Sequence, residues 1–93
     1  MAAWDELWVL VDALVADRTV AQGDLVAAIE RTQAEHSADR ELDAVSAAGW
    51  VVALVGALRA RLASDAALDD GDEVDVMRMI ITRYLRPTGR FPT

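Results

Sequence analysis

The chain has 93 residues and no cysteine, is 54% apolar and 27% charged, and carries a net charge of −7. These values are typical of one small globular domain, and they exclude disulfides, thiolate metal sites and cysteine nucleophiles. The negative charge opposes binding to phosphate backbones, so we expect no nucleic-acid partner. The first residues carry acids where a secretion signal needs bases, so we expect a cytoplasmic protein. All nine basic residues are arginine and alanine is frequent, which indicates a GC-rich, bacterial source.

The first predicted helix covers residues 3–18. Trp4, Trp8 and Val11 recur at the spacing of one helix face, and a stripe of leucines lies beside them. A helix that is apolar around most of its circumference is expected at the centre of a core or buried on two sides. Trp4 and Trp8 therefore have two interpretations. They form the edge of the core, or they form, with Val9, a contact patch for another chain.

The second predicted helix follows a short break. Thr19 and Gln22 have the spacing of a capping box. This spacing predicts that the first helix ends near Arg18 and that the second begins at Val20. The apolar stripe of the second helix is thin, so we expect it at the periphery. His36 lies near the end of this helix with no nucleophile motif to serve, so we interpret it as a surface or helix-end histidine rather than a general base.

The third predicted helix covers residues 41–63, and the fifteen residues from Ala44 to Leu58 carry no charge. This run is shorter than the roughly 20 residues that span a bilayer, so we expect no membrane partner. We predict that the third helix is central, is contacted on nearly all sides and places Trp50 in the core. Small residues such as Gly49 would let neighbouring helices approach closely. Gly49→Leu is then expected to cost about 1–3 kcal/mol through overpacking.

The fourth predicted helix follows an acidic segment, residues 65–75, which holds six acids and no base. Asp72 is the expected N-cap of a helix over residues 73–86. The predicted inward face of this helix is Val74, Met77, Ile81 and Tyr84, widened by Ile80 and Leu85. The acidic segment lacks the ligand spacing of an EF-hand loop, so we expect no metal site. We predict one helical domain over residues 1–86 and an extended tail over residues 87–93.

The four predicted helices define an all-α bundle in which charge is distributed unevenly. Residues 1–75 hold sixteen acids and five arginines, a net charge of −11, whereas residues 76–93 hold four arginines and no acid. The asymmetry has two interpretations. It reflects favourable helix-dipole placement with pairing inside the chain, or it marks a basic end that docks on a partner. The candidate docking residues of this basic end are Arg78, Arg83, Arg86 and Arg90.

Two segments, residues 40–58 and 68–85, resemble acyl carrier proteins, which are small acidic four-helix bundles. The tetrapeptide Leu-Asp-Ala-Val at residues 42–45 precedes a long apolar helix, as the Asp-Ser-Leu of a carrier does. The last helix ends in Arg-Tyr-Leu at residues 83–85. Ala44 replaces the serine that carries phosphopantetheine, so the resemblance implies shared architecture without attachment chemistry. A carrier-like or small-molecule-binding bundle remains an alternative function.

The sequence contains no nucleophile motif, phosphate-binding loop or plausible metal cluster, so we expect no enzymatic activity and no cofactor. The main hypothesis is a protein–protein interaction module, a small acidic adaptor or assembly subunit, whose partner is another protein chain or a second copy. It would bury the Trp4, Trp8 and Val9 side of the first helix, and Trp8→Ala would weaken assembly by about 2 kcal/mol or more. A further alternative is an acidic inhibitor that presents residues 65–75 to a basic target.

Overall fold

The structure, a computed structural model, describes residues 2–86. This part of the chain forms four helices and no strand, which confirms the predicted all-α bundle. The predicted tail over residues 87–93 lies outside the described residues. The helices are α1 (Ala3–Val15), α2 (Gln22–Ala34), α3 (Ala44–Ser64) and α4 (Asp70–Leu85).

The third helix is central, as predicted, because it packs against each of the other three. The first two helices also pack against each other, whereas α3 is the one helix whose backbone packs directly against α4 within residues 2–86. All four helices contribute apolar side chains to one core. The largest fully buried side chains are Leu7, Val11, Leu25, Ile29, Thr32, Val51, Ile81 and Leu85.

The first two helices end in the same way, with a left-handed residue after the C-cap. The φ angles are 63° at Asp17 and 61° at His36, and backbone amides beyond each C-cap donate to carbonyls of the last helical turn. His36 is therefore an exposed helix-end residue, as predicted. Because α1 stops at Val15 and turns at Asp17, the capping box predicted at Thr19 does not form. The second helix begins later than predicted, at Gln22, without a side-chain cap.

The last two helices each begin after an aspartate that accepts a hydrogen bond from the amide three residues ahead. Asp43 accepts from the Ser46 amide at 2.9 Å, so α3 begins at Ala44 rather than at residue 41. Asp69 accepts from the Asp72 amide at 3.0 Å. The prediction that Asp72 caps α4 is therefore wrong. Asp72 instead lies in the first helical turn, where the helix dipole favours an acid.

One side of α3 faces solvent, contrary to the prediction that this helix is contacted on nearly all sides. Trp50 is 59% exposed, and Val45 and Val52 are 58% and 42% exposed. A Cβ atom built at Gly49 or Gly56 would have no neighbour within 4 Å. The predictions of a core Trp50 and of close packing at Gly49 are therefore wrong. The buried stripe of α3 consists of Ala44, Ala47, Ala48, Val51, Val55 and Leu58.

By length and composition alone, α3 also satisfies the criteria for a membrane-spanning helix. It has 21 residues, and an 18-residue window has a mean hydropathy of 1.4, with 28% of that window buried. The core helix of a soluble protein meets the same criteria, so this is weak support for a membrane span. The low buried fraction of this window agrees with the exposure of Val45, Trp50 and Val52 on one side of α3.

Candidate functional site

Four of the residues singled out in the sequence form one cluster, here called the tryptophan–arginine cluster: Trp4, Trp8, Arg78 and Arg86. The two indole rings lie edge to face, with centroids 5.8 Å apart and an interplanar angle of 81°. The guanidinium carbon of Arg78 lies 4.9 Å from the Trp8 ring centroid, and that of Arg86 lies 4.8 Å from the Trp4 centroid. Both distances are within the range of a cation–π interaction.

The tryptophan–arginine cluster connects α4 to α1. The two tryptophans are four residues apart, so they share one face of α1, and they pack partly buried against the core. Arg78 also forms an ion pair with Asp12 at 3.3 Å. This placement supports the core-edge interpretation of Trp4 and Trp8. It also supports the interpretation that arginines near the C-terminus pair inside the chain.

The remaining candidate docking residues do not join this cluster. Val9 is 58% exposed and lines a separate depression of about 570 Å³ between α1 and α2. The same depression holds the Arg31–Glu6 ion pair, with a separation of 3.2 Å. Arg83 is exposed on α4, and Arg90 lies outside the described residues. The predicted interaction surface is therefore not continuous. Part of it forms the tryptophan–arginine cluster, whereas Val9 and Arg83 are exposed elsewhere.

A second apolar surface, which the sequence reasoning missed, lies between the last two helices. We call it the α3–α4 groove, and it comprises two adjoining depressions of about 460 and 300 Å³. Val76 and Ile80 on α4 are 46% and 43% exposed, and Trp50 on α3 is more exposed still. The apolar lining of the groove is Trp50, Leu54, Ala57, Leu58, Val76, Met77, Ile80 and Tyr84.

The two ends of the groove differ in polarity: one is lined by charged side chains and the other is not. One end carries the Arg61–Glu73 ion pair. The Glu73 carboxylate accepts a hydrogen bond from Arg61 and adds its own charge, which raises the pKa of that guanidinium above its ordinary value. The other depression, at Trp50 and Tyr84, is lined by apolar and aromatic residues alone. Most of the groove therefore offers no side-chain charge to a ligand.

The sequence contains a signal that could have located the groove. The predicted inward face of the last helix is confirmed at Met77 and Ile81, which are buried. Val76 and Met79 are apolar residues outside that face and are 46% and 44% exposed, whereas Ile80, predicted to widen the inward face, is 43% exposed, so that part of the prediction is wrong. A helix with more apolar residues than its buried face can hold presents the surplus to solvent or to another chain.

The described residues hold neither a cluster of metal-binding side chains nor a buried polar side chain without a partner. Within residues 2–86, no three His, Asp or Glu side chains converge in a way that could hold a metal ion. The same range contains no buried side-chain nitrogen or oxygen without a hydrogen-bond partner. Ala44, which stands where a carrier protein has its serine, is a buried methyl group at the start of α3.

Comparison of the chain with known protein families, with curated proteins and with solved structures finds no match. The candidate site therefore rests on the geometry of the chain itself.

Proposed function

We propose that this protein is a non-enzymatic protein–protein interaction module that binds its partner through the α3–α4 groove. The observation that carries this proposal is the exposure of Trp50, at 59%, beside the exposed Val76 and Ile80. Contiguous exposed apolar surface is typical of interaction sites, and tryptophan is enriched among residues that dominate binding energy.

The α3–α4 groove is a better candidate than the α1 surface that the sequence suggested. Trp4 and Trp8 already have arginine side chains over their rings, so a partner would have to displace those contacts. Trp50 has no such cover among the described residues. Binding of a partner at Trp50 removes apolar surface from water without breaking a contact inside the chain.

The shape of the groove suits a helical partner. It follows the length of two antiparallel helices, so it can accept the apolar face of a third helix laid along it. Both walls are regular helices that pack on a common core. A preformed groove does not pay the entropy of ordering a loop when it binds, which favours recognition.

Site-specific photo-crosslinking tests the proposal in the cells that carry the gene. A photoreactive amino acid at Met79, which is exposed beside the groove, should give light-dependent adducts with protein. The same amino acid at Glu30, exposed on α2, is the matched control and should give none. Trp50→Ala should abolish the Met79 adducts. Absence of a protein adduct at Met79, or equal adducts at both positions, would contradict the proposal.

A further inference from the structure

The outward face of α4 carries a pattern that is complementary to itself. Asp72, Val76, Met79 and Arg83 lie at positions i, i+4, i+7 and i+11, the spacing of one helix face, and all of them are exposed. We call them the α4 stripe. The acid and the base are about 16 Å apart along the helix, with the apolar pair between them. The residues are separated by four, three and four positions, which is the same in either direction. An antiparallel second copy therefore presents the same spacing with the acid and the base exchanged.

We infer that the partner proposed above is a second copy of this chain, whose α4 lies antiparallel along the α4 stripe, at the edge of the α3–α4 groove; this inference rests on the proposed function. A two-fold axis between residues 77 and 78 opposes Asp72 of one copy to Arg83 of the other. Since the axis is two-fold, this ion pair forms twice, and Val76 opposes Met79 between the two pairs. An interface of this symmetry uses one self-complementary patch on both chains.

The charges of the stripe are available for such pairing. Within residues 2–86, neither Asp72 nor Arg83 forms an ion pair. The other arginines of α4 and its C-cap are engaged, because Arg78 pairs with Asp12 and Arg86 stacks on Trp4. The chain therefore uses two of these arginines to hold its own fold and leaves the third pointing away from it.

Charge also selects the direction of pairing. The first two turns of α4 are acidic, whereas residues 76–86 carry arginines and no acid. A parallel second copy would place acid against acid and arginine against arginine, and like charges opposed across an interface are unfavourable. The antiparallel copy opposes unlike charges at both ends. No helix other than α3 packs its backbone against α4 within the described residues, and the stripe is exposed, so this side of α4 is open to the second copy.

The contact also shelters part of the groove. Ile80 borders the α4 stripe and lines both depressions, and Trp50 lines one of them with Ile80 and Tyr84. A second α4 laid along the stripe therefore covers Val76 and Met79 and borders the groove at Ile80.

Light scattering over a dilution series of the full chain tests the inference. The wild type should show twice the chain mass of 10.1 kDa at high concentration and should dissociate on dilution. Arg83→Asp opposes two pairs of acids and should raise the dissociation constant at least tenfold. Asp72→Arg opposes two pairs of arginines and should do the same. The Asp72→Arg/Arg83→Asp double variant restores unlike pairs and should return to within about threefold of wild type, since exposed pairs of equal chemistry are worth similar amounts.

Two controls separate self-association from folding. Arg18→Asp makes the same charge change after α1, away from the stripe, and should leave the dissociation constant unchanged. Circular dichroism of each variant at monomeric concentration should match that of wild type. A dimer that is insensitive to the single changes, or one that the double variant fails to restore, would overturn antiparallel pairing along α4.

The crosslinking experiment distinguishes failure of this inference from failure of the proposed function. A chain that stays monomeric up to about 1 mM, where association is worth about −4 kcal/mol, and that crosslinks through Met79 to a different protein would overturn self-pairing alone. A monomeric chain with no protein adduct at Met79 would overturn both. Crosslinks between two copies at Met79 support both.

Discussion

Trp8 and Trp50 lie in helices of similar apolar composition and have opposite surroundings. Trp8 packs partly buried against the core, with the Trp4 ring at its edge and the Arg78 guanidinium over its face. Trp50 is 59% exposed on the open side of α3. The difference shows that the apolar character of a helix does not determine which of its large side chains are covered. Coverage depends on what the neighbouring helices can reach.

The reason lies in the positions of the side chains around the helix. The buried stripe of α3 follows one helix face through Ala47, Val51, Val55 and Leu58. Trp50 lies about 100° around the helix from Val51, so it falls on the side that faces solvent. The tryptophans of α1 lie at the edge of the core, where Arg78 from the middle of α4 and Arg86 from its C-cap reach their rings.

This comparison assigns different roles to the two regions. The tryptophan–arginine cluster stabilises the chain, because it connects two helices whose backbones do not pack directly within residues 2–86. The α3–α4 groove leaves apolar area in water, which contributes nothing to the stability of the isolated chain and favours association. Substitutions in the first region should therefore change folding, and substitutions in the second should change assembly.

The largest expected difference is between alanine at Trp8 and alanine at Trp50. Trp8→Ala removes core packing and a cation–π contact, and should lower the free energy of unfolding by about 2–4 kcal/mol. Trp50→Ala should change it by less than about 1 kcal/mol, because that ring is mostly in water. Urea denaturation at monomeric concentration measures both values. Losses of similar size at the two positions would remove the distinction.

The next pair of variants tests which side of α3 is covered. Ala48 is fully buried, so Ala48→Leu should lower the free energy of unfolding by about 1–3 kcal/mol through overpacking. The adjacent Gly49 has open space around it, so Gly49→Leu should raise stability by up to about 1 kcal/mol through helix propensity. Thermal unfolding compares them directly. Destabilisation at Gly49 would show that this side of α3 is packed after all.

A smaller effect is expected for the arginines. Arg78→Gln loses the contact with Trp8 and the ion pair with Asp12, and should lower the free energy of unfolding by about 0.5–1.5 kcal/mol. Arg83→Gln is the matched control on the same helix and should change it by less than about 0.5 kcal/mol at monomeric concentration. Urea denaturation in low and high salt checks the ionic part, which high salt should reduce. Equal losses for both arginines would show that Arg83 also stabilises the isolated fold.

The smallest expected effect is at Gly56 on the open side of α3. Gly56→Ala places a methyl group in empty space and removes backbone freedom from the unfolded chain, so it should raise stability by about 0.5–1 kcal/mol. Calorimetry of the variant checks the increase. Since the methyl group makes no contact, the increase should be the same in the presence and absence of self-association. A decrease would mean that something covers this surface.

Much of the fold could be predicted because helix formation depends on local pattern. The spacing of Met77 and Ile81 predicted the inward face of α4, and both side chains are buried. Helix ends were less predictable, because several aspartates compete to cap α4 and Asp69 does so. The break after α1 was predicted at Arg18, but the left-handed turn at Asp17 ends the helix earlier. Such choices depend on one or two hydrogen bonds, which composition does not show.

The candidate site also combines features that the sequence predicted with features that only the tertiary structure decided. The sequence by itself determined four helices, an apolar third helix and the concentration of arginine near the C-terminus, because periodicity and charge are properties of the chain. Only the tertiary structure decided that Arg78 and Arg86 cover the tryptophans of α1 and that Trp50 is left exposed. The physical reason is that three neighbouring helices cover only part of α3. The buried residues of α3 recur at the spacing of one helix face, so Trp50, which lies off that face, stays in water.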